Sequence, residues 1–444
     1  MRRSARISET ARRPAGSISN ARIIVISQFF GPNQSAVGQF LADFANGAAL
    51  AGHDVHVICG RNQYASEDAS TPLGPWLHGS EGASGGEEFR GHGSVRVTRV
   101  RTATFSQSKV QKLISYAIFF IGAVWEALRI SKPGVVVTLT APPGLAWIGW
   151  LLQRIRGCRF VTWEMDLYPD IAIALDIPVA RWTAPMLDFP RRRANTVIAP
   201  GACMKRRLIH HAIPEDRIVV AENWADGQTI LPMPFPGSTP LRILYSGNLG
   251  LAHDVRTIRA VMERLSDRPD ILFDFAGGGL ERKALIDFCE RLQLKNAAFR
   301  SYVPLHDLGA SLAQCHVGLV TQKAATLGAV VPSKIYGIMA AGRPILYIGP
   351  AEATPRLLIR EFDCGWHFEC GDAEGVSALL LHLFENPEEL RWKGWNGRKA
   401  FDDSFEKAAG VARIMKAAGL ETLTNGRTAR QPLSTELFPE QIAR

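Results

Sequence analysis

The segment VPSKIYGIMAAGRPIL, residues 331–346, could bind an anion at the start of a short helix. Ser333 is a residue type that often caps helix N-termini, while Gly342 and Pro344 indicate where the helix ends. The amide groups of a first helical turn attract anions, and the Lys334 ammonium would add a full positive charge. The segment therefore predicts a site for a diphosphate. A capped core helix with a solvated lysine is the alternative interpretation.

Two further loops contain glycines where a phosphate could approach the backbone. The loops YSGNLG (245–250) and FAGGG (275–279) each follow a predicted strand and precede a predicted helix. Glycine allows close approach of backbone amides, and ligands of α/β proteins gather at the carboxyl ends of parallel strands. Neither loop matches the G-x-G-x-x-G dinucleotide pattern or a P-loop, so each taken singly could be a tight turn. Three such elements in one half of the chain favour a binding site.

The elements that position these segments form two successive α/β halves. Continuous β-branched runs such as ARIIVIS and GVVVTLT are typical of strands buried on both faces of a parallel sheet, and they alternate with segments of helical spacing. The stretch TILPMPFPGSTP has four prolines in twelve residues, which is typical of an interdomain linker. We predict a disordered basic tail at residues 1–20, a first Rossmann-like domain at 21–228, a linker at 229–240, a second Rossmann-like domain at 241–420 and a polar tail at 421–444.

Composition restricts the kinds of partner and cofactor. The 444 residues carry a net charge of +9, which favours an anionic partner such as a nucleotide, a phospholipid surface or a nucleic acid. The seven cysteines include no C-x-x-C pair, and no His/Cys cluster has zinc spacing. We therefore expect structural thiols in a reducing compartment and no metal site. No run of apolar residues is long enough to predict a membrane-spanning helix.

Together, the motifs SGNLG, FAGGG, VPSKIYGIMAAGRPI and DLYPD (166–170) resemble those of the family-4 glycosyltransferases of GT-B fold. The resemblance is strongest to the branch that builds colanic acid, O-antigen and related exopolysaccharides, and it runs from about residue 21 to about residue 418. It implies two Rossmann-like domains facing a central cleft, with a nucleotide-sugar donor held by the second domain. It also implies transfer with retention of anomeric configuration.

The chain departs from the wider family at four donor positions. The usual pair of glutamates would fall on Ala329 and Gly337, neither of which can bind a ribose or a sugar through its side chain. The usual arginine and lysine would fall on Asn248 and His253. Two carboxylates beside a diphosphate would repel it, so their loss is consistent with a site that has few cations.

The resemblance implies that Lys334, helix amides and loop amides hold the diphosphate. His253 and Arg343 are further candidates for stabilising the leaving group, with no metal ion required. The implied donor-binding residues are Gly247, Asn248, Gly250, His253, Gly277, Gly278, Ser333, Lys334 and Gly337.

The first domain would then bind the acceptor. The wider family often has a catalytic histidine after the strand that corresponds to GVVVTLT, but this chain has Thr140 and Pro142 there. Among the nearby acids of TWEMDLYPD, we select Asp166 first and Glu164 second to orient or deprotonate an acceptor hydroxyl. An aspartate that caps a turn before a proline explains Asp166 equally well. The implied catalytic residues are Asp166, Glu164 and Lys334, and the implied acceptor-binding residues are Asp170 with Gly31 and Gly38 of the loop GPNQSAVG.

Two apolar segments could bring the first domain to a membrane. Residues 112–128 and 144–159 combine apolar faces with tryptophan and flanking basic residues, as do helices that lie in a membrane interface. Helices packed on a sheet have similar sequences, so this alternative stays open. We expect a cytoplasmic protein, with peripheral contact at the inner face of the plasma membrane if the segments are interfacial.

The combined prediction is a retaining glycosyltransferase that moves a hexosyl or N-acetylhexosaminyl group to a lipid-linked saccharide. The donor is a nucleotide-diphosphate sugar, with UDP as the favoured nucleotide, and neither a resident cofactor nor a nucleic acid partner is expected. Two alternatives remain. A non-hydrolysing sugar-nucleotide epimerase would share the twin domains without needing an acceptor surface. A non-catalytic binding protein would explain the missing glutamates.

Overall fold

The structure, a computed structural model, describes residues 18–31, 35–60, 93–100, 109–177, 180–237 and 239–422. The predicted tails, up to residue 17 and from residue 423, lie outside the described residues, as do residues 32–34 of the loop GPNQSAVG.

The first domain is built on a seven-stranded parallel sheet with the order β3-β2-β1-β4-β5-β6-β7. Its strands are β1 (Arg22–Ile26), β2 (Asp54–Gly60), β3 (Val95–Val100), β4 (Val135–Thr138), β5 (Arg159–Trp163), β6 (Thr196–Ala199) and β7 (Ile218–Val220). Its helices are α1 (Ala36–Leu50), α2 (Lys109–Arg129), α3 (Ala146–Arg156), α4 (Asp170–Ala174), α5 (Ala180–Arg191) and α6 (Ala202–His210).

The second domain repeats this plan with six parallel strands in the order β10-β9-β8-β11-β12-β13. Its strands are β8 (Leu241–Ser246), β9 (Ile271–Ala276), β10 (Ala297–Arg300), β11 (Val317–Thr321), β12 (Ile345–Ile348) and β13 (Gly365–Phe368). The helices are α7 (Val255–Arg264), α8 (Leu280–Arg291), α9 (Leu308–Ala313), α10 (Lys334–Ala340), α11 (Thr354–Phe362), α12 (Ala373–Glu385), α13 (Pro387–Ser404) and α14 (Lys407–Ala418).

The β-branched runs form central strands because both of their faces are buried. In β1, Ile23 and Val25 pack into the core beneath α1, while Ile24 and Ile26 pack into the core beneath α2 and α3. Strand order reverses beside the first strand of each sheet, between β1 and β4 and between β8 and β11. Such reversals open a crevice at the carboxyl ends of the strands, where α/β proteins bind ligands.

The predicted second domain of residues 241–420 is too long, because its last helix returns to the first domain. Val411, Ile414 and Met415 of α14 belong to the same buried core as Phe44 of α1. A Cβ added to Gly47 of α1 would lie only 2.5 Å from a methyl carbon of Val411, so the two helices pack closely. The apolar face of α14 therefore completes the first domain after the chain has finished the second.

Candidate active site

The two domains meet through main-chain contacts between the predicted acceptor and donor motifs. The amide of Leu167 donates to the carbonyl of Ala329 at 2.8 Å, and Asp166 forms an antiparallel bridge with Val330. The DLYPD motif follows β5 of the first domain, whereas Val330 leads directly into Lys334 and α10 of the second. The aspartate selected from the sequence therefore lies on the first-domain segment that contacts the residues just before Lys334.

The Lys334 side chain turns back over the first glycine loop. Its Nζ donates to the carbonyl of Asn248 at 3.4 Å and lies 4.8 Å from the centre of the Tyr245 ring. A Cβ on Gly247 would come within 2.9 Å of the lysine Cε, so the aliphatic chain lies against that glycine. Desolvation lowers the pKa of Lys334 to about 8. The amine thus lies in the crevice beside the loop, as the diphosphate prediction requires.

The two glycine loops pack on each other, backbone against backbone. The amide of Gly247 donates to the carbonyl of Ala276, and the amide of Leu249 donates to that of Gly278, both at 2.7 Å. The amides of Asn248 and Gly278 donate to no carbonyl in the part of the chain that the structure describes. Some loop amides therefore hold the loops together, while others remain available to a ligand.

Replacing Gly277 with alanine is expected to destabilise the second domain by about 3 kcal/mol or more. Gly277 has φ +131°, and its Cβ would lie 2.2 Å from the carbonyl oxygen of Gly247, which is main chain and cannot move aside freely. The free energy of unfolding in urea measures this effect. Gly157→Ala is the matched control, because Gly157 has φ +67° with open space around it and should cost only about 1 kcal/mol. Equal losses in the two variants would contradict the close packing of the loops.

His253 is held as a neutral ring, so it offers no positive charge to the leaving group, while its role in donor binding stays a prediction. Its Nδ1 lies 2.8 Å from the carbonyl oxygen of Thr321 and must carry the proton that donates to it. Its Nε2 lies 3.1 Å from the hydroxyl of Tyr245. Burial, together with the neighbouring Lys334, lowers the pKa of His253 to about 3. His253 therefore orders the tyrosine beneath Lys334 rather than adding charge.

Arg343 is also excluded as a ligand of the leaving group. Arg343 is 1% exposed, and its guanidinium donates to main-chain carbonyls of the second domain and of the linker. Two of these belong to Met233 and Pro234 of the linker, each at 3.0 Å. Arg343 consequently attaches the linker to the second domain.

The surroundings of Ser333 and Gly337, two predicted donor-binding residues at α10, differ from what the sequence predicts. Ser333 precedes the helix, but it has helical torsion angles and its hydroxyl makes no capping hydrogen bond. A side chain at Gly337 would approach Leu312 and Ile230, so this glycine faces the packing of α10 on its neighbours. The role of both residues in donor binding stays a prediction.

On the acceptor side, Asp166 has the environment of a base. Its amide and that of Met165 donate to the hydroxyl of Thr140 at 3.3 and 3.4 Å, which fixes the backbone at the end of β5. The side chain is half-buried and forms no salt bridge with any described residue. Burial raises the pKa of Asp166 to about 6, so the carboxylate is ionised at neutral pH and remains basic enough to accept a proton.

Glu164, the second choice for the residue that orients or deprotonates the acceptor, is instead part of a buried ion pair. Its two carboxylate oxygens each accept a hydrogen bond of 3.1 Å from Arg191. Arg191 also donates to the carbonyl of Tyr168 at 2.6 Å and to Asp188 at 3.1 Å. Glu164 therefore has no access to an acceptor, and its partner Arg191 holds the backbone that follows Asp166.

Asp170 belongs to the same network, so the prediction that it binds the acceptor is not supported. It is 3% exposed and pairs with Arg207 and, at 2.8 Å, with His211. His211 also contacts Asp188 at 2.7 Å, and these two carboxylates raise its pKa to about 9. The basic run KRRLIHH (205–211) is typical of solvated side chains, whereas His211 is a half-buried member of this charged network. No spacing in the sequence distinguishes such a network from a solvated run of charges.

The two acceptor glycines lie on either side of residues 32–34. The carbonyl of Gly31 accepts a hydrogen bond from Arg99 at 3.0 Å, just after β1. Gly38 lies in the first turn of α1, where its amide donates to the hydroxyl of Ser35, the N-cap, at 3.3 Å. Contact of these glycines with an acceptor stays a prediction.

Comparison with known proteins identifies the family. Residues 35–224 match the family described as "Glycosyl transferase 4-like domain", and residues 234–400 match "Glycosyl transferases group 1". The chain belongs to the family-4 glycosyltransferases. The resemblance predicted from the motifs is confirmed, as is the activity class of glycosyl transfer.

Relatives of this glycosyltransferase include proteins of two bacteria. WcaI of Escherichia coli K12, named as a glycosyl transferase of colanic acid biosynthesis, is 25% identical over 390 residues, covering 82% of this chain and 91% of WcaI. The glycosyltransferase WbjE of Pseudomonas aeruginosa is 24% identical over 305 residues, covering 63% of this chain and 75% of WbjE. The first relative agrees with the predicted resemblance to the exopolysaccharide branch.

Solved structures confirm the predicted GT-B fold. HepE of Anabaena, solved with UDP and glucose, superimposes with a TM-score of 0.66 at 13% identity, covering 89% of this chain and 98% of HepE. Sucrose-phosphate synthase of Thermosynechococcus elongatus gives 0.71 at 13% identity with the same coverage. The lipopolysaccharide glycosyltransferase WaaG gives 0.62 at 14% identity, again over 89% of this chain and 98% of WaaG.

Two further features of the described residues bear on cofactors and membranes. No group of three or more His, Cys, Asp or Glu side chains within them could hold a metal ion. None of their helices is both long and apolar enough to cross a bilayer.

Proposed function

We propose that this protein transfers a hexosyl or N-acetylhexosaminyl group from a UDP-sugar to a lipid-linked saccharide in exopolysaccharide biosynthesis. The observation that carries the proposal is the position of Lys334, whose amine lies beside the first glycine loop, while Asp166 contacts the segment just before this lysine. HepE was solved with UDP-glucose, and WcaI is named for colanic acid, which supports this donor and this pathway. The family resemblance supports retention of anomeric configuration.

The donor diphosphate would bind between the first glycine loop and the start of α10. The contact of Lys334 with the Asn248 carbonyl is long, at 3.4 Å, and a phosphate oxygen would replace it as a stronger partner of the amine. The amides of Asn248 and Gly278 belong to the same two loops, have no backbone acceptor among the described residues, and would donate to phosphate oxygens. As the bond to the sugar breaks, the Lys334 charge stabilises the negative charge that develops on the leaving diphosphate.

Asp166 would act on the acceptor. The bridge to Val330 brings its main chain beside the segment that begins the donor site, and we place the acceptor hydroxyl next to its carboxylate there. Asp166 would accept the proton of that hydroxyl as the new glycosidic bond forms. Lys334 supplies the charge stabilisation that a metal ion supplies in other transferases, and we therefore include metal-independent transfer in the proposal.

Release of UDP from a panel of UDP-sugars, with and without a lipid-diphosphate-linked saccharide, tests this function. We expect release stimulated by the acceptor, unaffected by EDTA, and a product whose anomeric configuration equals that of the donor by NMR. Interconversion of UDP-sugars without acceptor would assign the protein to the epimerases. Binding without turnover would identify a non-catalytic protein, and failure of every UDP-sugar to bind would refute the donor site.

A further inference from the structure

The helix α2 has an apolar stripe that the protein leaves in solvent. Phe119, Ala123 and Ala127 on one side are fully buried in the first domain. On the other side, the exposed fractions of apolar side chains are 69% for Leu113, 48% for Ile114, 40% for Ile118, 70% for Ile121 and 64% for Trp125. A solvent-facing helix surface is normally polar, so a stripe of this extent indicates an interaction surface.

The neighbouring helices extend this surface. Helix α3 packs between α2 and α5, and α5 contributes Trp182, 87% exposed, and Met186, 53% exposed. The aromatic rings of Trp147, Trp150 and Phe189 form a cluster where α3 meets α5. Tryptophan is favoured at the boundary between water and the acyl chains of a bilayer.

The same surface is basic. Among the described side chains of α2, α3 and the residues just after them, four lysines and arginines are exposed, and Glu126 is the one acid. Arg129, Lys132, Arg154 and Arg156 are exposed, and Arg156 donates to the carbonyl of Leu128 at 3.0 Å, which places it beside the end of α2. Exposed cations are attracted to the negative surface potential of an anionic leaflet.

The directions of the helices show which end of this surface lies near the cleft. In a parallel sheet the helix that precedes a strand runs from the carboxyl edge back to the amino edge. Leu113 of α2 and Trp182 of α5 therefore lie toward the cleft, whereas Arg129 and Arg193, at the other ends of these helices, lie toward the far edge of the sheet.

We propose that the surface formed by α2, α3 and α5 docks on an anionic phospholipid bilayer. The apolar stripe, which runs along α2 from its cleft end toward Arg129, enters the interface together with Trp182, and the arginines at the far ends of the helices bind headgroup phosphates. The inference rests on the proposed function in one respect, since a lipid-linked acceptor would then reach Asp166 from the same bilayer. A second copy of the chain is a poorer occupant, because a symmetric contact would bring two sets of these cations together.

Co-sedimentation with phosphatidylcholine vesicles, with and without phosphatidylglycerol, tests the docking surface. We expect the full chain to bind the anionic vesicles, with binding weakened by salt. The double variant Ile121→Glu with Trp125→Glu should bind at least tenfold more weakly, while its melting temperature is unchanged because both side chains are exposed. Trp392→Glu is the matched control, since Trp392 is 56% exposed on α13 of the second domain, and it should bind like the wild type.

Three results would overturn the docking surface: no binding of the wild type to anionic vesicles, equal binding of the double variant, or a wild-type dimer that the double variant converts to monomer without any vesicle binding. UDP-sugar affinity, measured on the same samples without lipid, separates this inference from the proposed function. Vesicle binding without UDP-sugar binding would refute the transferase function and leave the docking surface intact. UDP-sugar binding without vesicle binding would refute only the docking surface.

Discussion

Lys334→Ala is expected to lower the rate of sugar transfer by roughly 10²–10³-fold, the effect of removing one preorganised charge-stabilising group. The amine lies in the crevice beside the Asn248 carbonyl and the Tyr245 ring, where a diphosphate would find it. The melting temperature should stay the same or rise slightly, because the wild-type protein bears the cost of desolvating this cation. Steady-state kinetics and thermal unfolding measure the two effects.

The matched control is Lys393→Ala, whose amine pairs with Asp363 at 2.7 Å on the second domain. This variant should retain its transfer rate. If Lys334→Ala kept most of its turnover while its melting temperature fell, Lys334 would be a structural residue and the donor site would be misplaced.

From the pKa of Lys334 we also predict how kcat/KM depends on pH. Since this pKa is about 8, the free enzyme loses the positive charge as the pH rises above 8, and kcat/KM should fall there. A bound diphosphate favours the charged amine and raises its pKa, so kcat should persist to higher pH than kcat/KM.

Asp166→Asn is expected to lower turnover by about 10²–10⁴-fold, the usual contribution of a general base, with little effect on UDP-sugar binding. The amide side chain has nearly the same shape but cannot accept the proton. The main-chain bonds from Asp166 to Thr140 and its bridge to Val330 should survive the substitution. Burial raises the pKa of Asp166 to about 6, so the wild-type kcat/KM should also fall below pH 6, where the carboxylate is protonated. Pre-steady-state transfer, donor titration and a pH profile check these points.

A suitable control is Asp176→Asn, which removes an exposed carboxylate just after α4. Asp176 has φ +56°, a conformation that asparagine also adopts readily, so this variant should be active and stable. Unchanged turnover in Asp166→Asn, or an acid limb that persists in that variant, would remove Asp166 from the mechanism.

Local patterns were sufficient to predict the architecture. Continuous β-branched runs predict buried parallel strands, and β1 shows why, since Ile23 and Ile24 enter cores on opposite faces of the sheet. Glycine loops after β8 and β9 indicated where a ligand site would form, because the carboxyl ends of neighbouring strands meet at one edge. The family resemblance then followed from the order of the motifs.

Only the tertiary structure decided which charged residues are available for chemistry. Glu164, Asp166 and Asp170 lie within seven residues of one another and have the same side-chain chemistry, yet only Asp166 keeps its carboxylate out of an ion pair. The partners that occupy the other two are Arg191 and His211, distant in sequence and brought in by α5 and α6. The burial of Arg343 against the linker and the return of α14 to the first domain likewise depend on contacts between distant segments. Spacing along the chain determines local structure, whereas burial and ion pairing depend on contacts between distant segments, and these contacts exist only in the folded chain.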